Sequence, residues 1–277
     1  MKTDDQLKEI VRQKYEEIAL QDKDLNASSC CGSGERSNKV YNIMTDDYDT
    51  LSGYNAEADL GLGCGLPTKS AKIKAGDVVI DLGSGAGNDA FVARHETGET
   101  GKVIGIDFTP VMIEKARENA EKLGYNNVEF RQGDIEKMPV TSNVADVIVS
   151  NCVLNLVPNK EGVFKEIFRV LKPGGHFSIS DVVLEGQLPE AIKGAAEMYA
   201  GCVSGAIQKQ EYLDLIEKNG FTNKVIQKEK PITLPDDILS AYLSEAEIEA
   251  FKNSNTNIQS ITVYAEKPAA CCEPTCC

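Results

Sequence analysis

Nine cysteines stand against two histidines in this 277-residue chain, and their placement is the first sign of chemistry. Cys64 lies between Gly63 and Gly65, Cys202 follows Gly201, and Cys152 follows a short apolar run ending in Ser150-Asn151. The other six form the vicinal pairs Cys30-Cys31, Cys271-Cys272 and Cys276-Cys277. An odd count in a chain that opens without a secretion signal does not describe a disulfide framework. Adjacent thiols bridge each other only with strain, yet both can reach one thiophilic atom, so the pairs point to soft-ion chemistry. Neither His95 nor His176 is near a cysteine in sequence and no Cys-x-x-Cys knuckle is present, which weakens a zinc reading. Free cysteine is also among the most buried residue types, so Cys152 taken alone fits a small core position equally well. Two glycine-nested cysteines in addition are harder to assign to packing.

A second group of residues suits a different ligand. Val78-Val79-Ile80-Asp81-Leu82 runs directly into Gly83-Ser84-Gly85-Ala86-Gly87. Glycines in such a turn let the backbone pass close to a ligand without Cβ collisions. The spacing is Gly-x-Gly-x-Gly, not the Gly-x-Gly-x-x-Gly of dinucleotide enzymes. A next strand over 102–106 ends at Asp107, where a carboxylate can accept both hydroxyls of a ribose. Another over 128–131 is followed by Gly133-Asp134-Ile135. A tight structural turn and solvated strand-end carboxylates explain each feature singly; their placement on successive strand ends favours a bound ligand.

The elements that must position these residues alternate strand and helix from 77 to 183, the rhythm of a parallel, doubly wound sheet. Further strands are expected over 145–150 and 177–180, the latter after Leu171-Lys172-Pro173-Gly174-Gly175 stops a helix. Ligands of such sheets bind at the carboxyl ends of the strands, which places Cys152 at the ligand end of the fourth strand. Leu7, Ile10, Val11, Tyr15, Ile18 and Ala19 recur at helical spacing near the start. Helices are expected over 189–202 and 208–219, late strands over 221–227 and 258–265, and helical patterning over 235–251.

The glycine turn resembles the first motif of class I S-adenosylmethionine (SAM) methyltransferases, in which it cradles an amino-acid carboxylate. The segments 58–65 (ADLGLGCG), 150–156 (SNCVLNL) and 199–206 (YAGCVSGA) resemble those of arsenite methyltransferases, and the likeness runs from about Tyr41 to the last strand. The resemblance implies an α/β fold: a Rossmann-like class I SAM methyltransferase sheet with a small C-terminal subdomain and a disordered, Cys-rich tail. It divides the chain into an N-terminal helix and Cys-containing cap (1–70), a SAM-binding core (71–185), an arsenic-site subdomain (186–266) and the tail (267–277). It implies As(III) ligation by Cys64, Cys152 and Cys202, with catalytic participation by these and by Cys30 or Cys31. It further implies SAM contacts from Asp81, Gly83, Ser84, Gly85, Gly87, Asp107, Met112, Asp134, Ile135 and Asn151. Arsenite and methylarsenite would be the substrates, and glutathione or thioredoxin the reductant.

The residue types suit that chemistry. As(III) is soft and three-coordinate, and thiolate is its preferred ligand. Its lone pair can displace the methyl group of a sulfonium without a general base, which fits the shortage of histidine. The composition bounds the alternatives. With 29 Lys and Arg against 43 Asp and Glu, the net charge of −14 argues against nucleic acid and anionic membrane surfaces. No apolar run approaches membrane-spanning length, so a cytoplasmic enzyme is expected. Two rivals remain: a methyltransferase for a small organic acceptor, in which Cys152 and Cys202 are packing residues, and a metalloid-binding protein with a decayed core. The retained Asp81, Gly83, Gly85, Asp107 and Asp134 argue against decay.

Overall fold

A computed structural model describes residues 3–20, 46–195 and 202–269. Cys30, Cys31, the four C-terminal cysteines, and residues 196–201 of the helix expected over 189–202 lie outside the described residues; in the described part that helix spans only Glu190–Gly194 before Ala195 turns extended. The N-terminal periodicity becomes helix α1, Asp4–Ala19. Thr3 and Gln6 cap it reciprocally, each side chain taking the other's backbone N–H, with Asp4 and Asp5 at the positive end. A short helix α2, Pro67–Ser70, follows the Cys64 loop.

Strand and helix then alternate as the patterning predicts, except that a single 3-10 turn, Ile135–Lys137, stands where a helix would connect the third and fourth strands. The order is β1 (Val78–Leu82), α3 (Asn88–Thr97), β2 (Lys102–Asp107), α4 (Pro110–Lys122), β3 (Val128–Gln132), β4 (Ala145–Asn151), α5 (Lys160–Val170) and β5 (Leu171–Glu185). β5 is longer than expected. Pro173-Gly174-Gly175 ends the helix but not the strand, because the irregularity is absorbed as a shift of register against β4 between Ala145 and Val147.

The C-terminal part supplies α6 (Glu190–Gly194), α7 (Lys209–Lys218), β6 (Thr222–Ile232), α8 (Asp236–Leu239), α9 (Glu245–Lys252) and β7 (Asn257–Glu266). The seven strands form one sheet in the order β3-β2-β1-β4-β5-β7-β6. β7 is antiparallel to both of its neighbours, and the pairs among β1 to β5 are parallel. Residues 186–266 therefore complete the main sheet as well as packing helices at its end. β6 is the edge strand, which accommodates Pro231 and an exposed, lysine-rich face.

Buried strands explain the near-continuous apolar runs. Val79, Val103 and Val147 face one way, against Phe91, Met112 and Ala116. Ile80, Ile104 and Ile148 face the other, against Phe164, Ile167 and Tyr212. A third apolar cluster at the carboxyl end of β4 and β5 contains all three core cysteines together with Val11, Val182, Leu188 and Ile258. No helix among the described residues is long and apolar enough to cross a membrane.

Candidate active site

β1 has β2 on one side and β4 on the other, and the glycine turn emerges at this switch point, where a crevice opens between the flanking connections. Two adjoining cavities occupy it. The first is lined by Asp107, Gly133, Asp134 and Ile135 and is covered by Lys8, Val11 and Tyr15 of α1. The second is lined by Asp81, Ser84, Gly85, Asn88, Asn151 and Cys152, again with Tyr15. Gly85 has φ +50, and a Cβ added there would meet nothing within 4 Å, so the backbone is bare towards open space. Met112 lies fully buried in the apolar cluster behind α4, and Gly87 starts α3 with φ +103.

The carboxylates have distinct partners. Asp107 accepts the Gly85 N–H at 3.0 Å and the Thr109 N–H at 2.8 Å, which fixes the turn to the end of β2. Asp134 accepts the Glu136 N–H at 2.8 Å and an ion pair from Lys8 at 2.7 Å. Asp81 is buried, and its Oδ2 has no partner. Burial first, and then the charges of Asp89 and Asp107, push the Asp81 carboxyl well above the usual carboxylate range. Ser84 Oγ and Asn88 Oδ1 beside the second cavity and Thr109 Oγ1 beside the first are likewise buried without partners. Buried polar atoms are ordinarily satisfied, so this set beside an open cradle suits a polar ligand.

The three core cysteines come from the loop before α2, the end of β4 and the segment before α7, and they meet beside the second cavity. All three are reduced and buried. The thiols of Cys64 and Cys202 each interact with that of Cys152. The Cys202 thiol also donates to the Cys152 carbonyl at 2.9 Å. Cys152 and Cys202 both adopt left-handed backbone, with φ 61 and 64. Such geometry costs a residue with a side chain on the order of 1 kcal/mol, and it gathers at functional sites. Burial, followed by the two neighbouring thiols, raises the Cys152 thiol well above its ordinary value, and burial also raises Cys64. Among the described residues no set of three His, Cys, Asp or Glu side chains already surrounds a common ion position. The Cys152 thiol is in contact with each of the other two.

Glycines let the Cys64 loop sit on the strand ends. A Cβ on Gly63 would lie 2.6 Å from Asn151 Nδ2, and one on Gly65 would lie 2.5 Å from Ser180 Oγ. A polar network that the sequence reading did not find joins the two halves. Tyr48 donates to Asp89 at 2.8 Å, Thr68 donates to Asp89 at 3.3 Å, and Asn151 donates to Tyr48 and lies 3.2 Å from Asp89. Burial lifts the Asp89 carboxyl to about 6. Lys8 and Tyr15 were also missed as site residues; on α1 they read as ordinary positions of an amphipathic helix.

Residues 73–220 match the family model described as a methyltransferase domain. The chain is 37% identical to an arsenite methyltransferase of Halobacterium salinarum over 96% of this chain and 68% of that protein. It is 31% identical to an arsenite methyltransferase of Aquipseudomonas alcaligenes over 86% of this chain and 68% of that one. Among solved structures it is similar to an arsenic(III) S-adenosylmethionine methyltransferase of Chlamydomonas reinhardtii, with a TM-score of 0.63, 30% identity, and 86% of this chain and 76% of the other covered.

Proposed function

Because this chain belongs to the arsenite methyltransferase family, we propose that Cys64, Cys152 and Cys202 hold its trivalent arsenic substrate and that the adjoining crevice holds SAM. The enzyme methylates As(III) with SAM as cofactor. One observation carries the assignment of the ligands: three cysteines far apart in sequence form a single buried thiol cluster bordering the cradle of Gly85, Asp81 and Asn151.

The residues of the crevice suit the cofactor's parts. In this reading Asp107 and Thr109 would hold the ribose hydroxyls, and Asp134 and Ile135 the edge and face of the adenine; all four line the first cavity. The unpartnered Asp81 oxygen and the bare Gly85 backbone suit an amino-acid ammonium and carboxylate. SAM, when bound, supplies an electrophilic methyl group on a sulfonium. The carboxyl-rich cavity favours a cation, which in turn would draw the raised carboxyl of Asp81 back to its ionised form.

The thiol cluster works by exchange. Arsenite carries three hydroxyls, and three thiols replace them, each proton leaving with a hydroxyl as water. The adduct is neutral, so the burial that disfavours a free thiolate does not oppose it. Arsenic keeps its lone pair, and the protein's contribution is orientation and exclusion of water. Methylation raises arsenic from As(III) to As(V). Two cysteine thiolates closing to a disulfide return the electron pair, and glutathione or thioredoxin then reduces the disulfide. Cys30 and Cys31 are the further candidates for this step. Such thiol chemistry suits a reducing compartment, and we place the enzyme in the cytoplasm. In this scheme residues 1–70 cap the site, 71–185 bind SAM, 186–266 close the arsenic side, and 267–277 act as a collecting tail.

The test is to incubate the enzyme with SAM, thiol and arsenite and to speciate the arsenic by mass spectrometry. Methylated arsenicals are expected, and Cys152→Ser and Cys202→Ser should abolish them. Undiminished methylation by both variants would leave the thiols as packing residues and favour an organic acceptor.

A further inference from the structure

The cluster's three cysteines are not held alike. Cys152 and Cys202 are held in left-handed backbone. Cys64 sits between two glycines, in a loop whose own sequence restrains it least, yet its backbone is bracketed by side chains from other parts of the fold. Asn151 Oδ1 accepts the Cys64 N–H at 3.0 Å. Ser260 Oγ, from β7, donates to the Cys64 carbonyl at 2.5 Å. Asn151 Nδ2 donates to the next carbonyl, Gly65 O, at 2.8 Å, and its other hydrogen goes to Tyr48 Oη, whose own proton is given to Asp89. Ser260 is buried, so water does not compete for its bond to Cys64.

We propose that Ser260 and Asn151 are positioning residues for Cys64, which fix its backbone so that its thiol is already in place as the third arsenic ligand. The proposal rests on the reading of Cys64 as a ligand. Ordering the loop before binding removes an entropy cost that would otherwise fall on association. Only a substrate that uses Cys64 benefits. Arsenite has three exchangeable positions and engages all three thiols. Methylarsenite has one As–C bond and two exchangeable positions, and Cys152 and Cys202 satisfy it. The bracket is therefore a specificity device: it favours the unmethylated substrate without touching arsenic. Asn151 also meets Asp89 at 3.2 Å, so the bracket is continuous with the cofactor cavity.

The test uses the full chain at saturating SAM, with arsenite and methylarsenite as separate substrates. Ser260→Ala removes one donor from the Cys64 carbonyl. It should raise KM for arsenite about tenfold, the scale of one lost hydrogen bond, and leave KM for methylarsenite within about twofold. Ser260→Thr keeps the hydroxyl and should restore the arsenite KM. Ser260→Val, isosteric with the threonine variant but without its hydroxyl, is the second variant should Ser260→Ala not fold, and should show the same one-sided pattern. A role confined to folding would raise both KM values together, which would overturn the proposal. So would unchanged values for both substrates. Cys64→Ser separates the two claims. If it methylates arsenite with the wild-type KM, Cys64 is not a ligand and the underlying reading fails. If it loses arsenite while Ser260→Ala behaves as wild type, that reading stands and the positioning role is refuted.

Discussion

Replacing Asp181 with asparagine should change how stability depends on pH. Asp181 lies in β5 and is fully buried. It accepts the Tyr212 hydroxyl at 3.3 Å and its neighbour's Val182 N–H at 3.2 Å. Burial pushes its carboxyl from 3.8 to about 7, against the opposing pull of Lys160. Between those values the unfolded chain gives up the proton and the folded chain keeps it. Stability must therefore fall as pH rises from about 4 to about 7. A shift of some three units corresponds to roughly 4 kcal/mol in all, of which about two units, or ~3 kcal/mol, accrue between pH 5 and pH 8. Asp181→Asn removes this dependence and leaves the other buried carboxyls, Asp81, Asp89 and Asp107, in both proteins. Any pH-independent cost of the amide moves both ends of the comparison equally. Urea unfolding of wild type and variant at pH 5 and pH 8 measures the difference. The variant should gain about 3 kcal/mol relative to wild type on going from pH 5 to pH 8. Parallel pH profiles would show that Asp181 ionises at an ordinary value and that the reasoning from burial is wrong.

Other expectations follow from the site. Asp107→Asn should weaken SAM binding by about 1–3 kcal/mol in calorimetry, the range for lost charge-assisted hydrogen bonds. Gly85→Ala should cost only about 1 kcal/mol in thermal unfolding, the strain of its positive φ, yet abolish SAM binding by filling the cradle. Lys8→Met should cost less than about 1 kcal/mol, because the ion pairs to Asp134 and Glu136 are partly exposed, while speeding release of the demethylated cofactor in stopped flow. A chain ending at Lys267 keeps the anchoring bonds of that lysine to Phe168 and Leu171 and should retain methylation of arsenite.

The sheet was legible because β1 and β2 are apolar runs that end at the glycine turn and at Asp107, and because the 171–175 segment stops a helix before the next strand. The core cysteines stood out because glycines beside a reactive side chain are an unusual local combination. The network around Cys64 had no such signature. Tyr48, Asp89, Asn151 and Ser260 are remote in sequence and individually commonplace, and only the closed sheet brings them together. Asp181 was illegible for a related reason: it stands among apolar residues in β5, where the alternation marks the position as inward but not what it faces. β6 was underestimated because an edge strand needs no apolar run, and its lysines disguise it as a loop.

One helix borders both proposed ligand sites. Lys8 is paired with Asp134 and Glu136 beside the first cavity, Tyr15 borders both cavities, and Val11 packs into the cluster that holds the thiols. On the proposed assignment, a displacement of α1 that frees the cofactor cavity would uncover the thiols as well, so a second methylation in the same encounter would be a race. The arsenical would have to stay on its thiols for as long as α1 was displaced. How many methyl groups an arsenic atom collects per visit would then be a ratio of two departure rates. It would be tuned from the far end of the helix without altering any group proposed to touch arsenic.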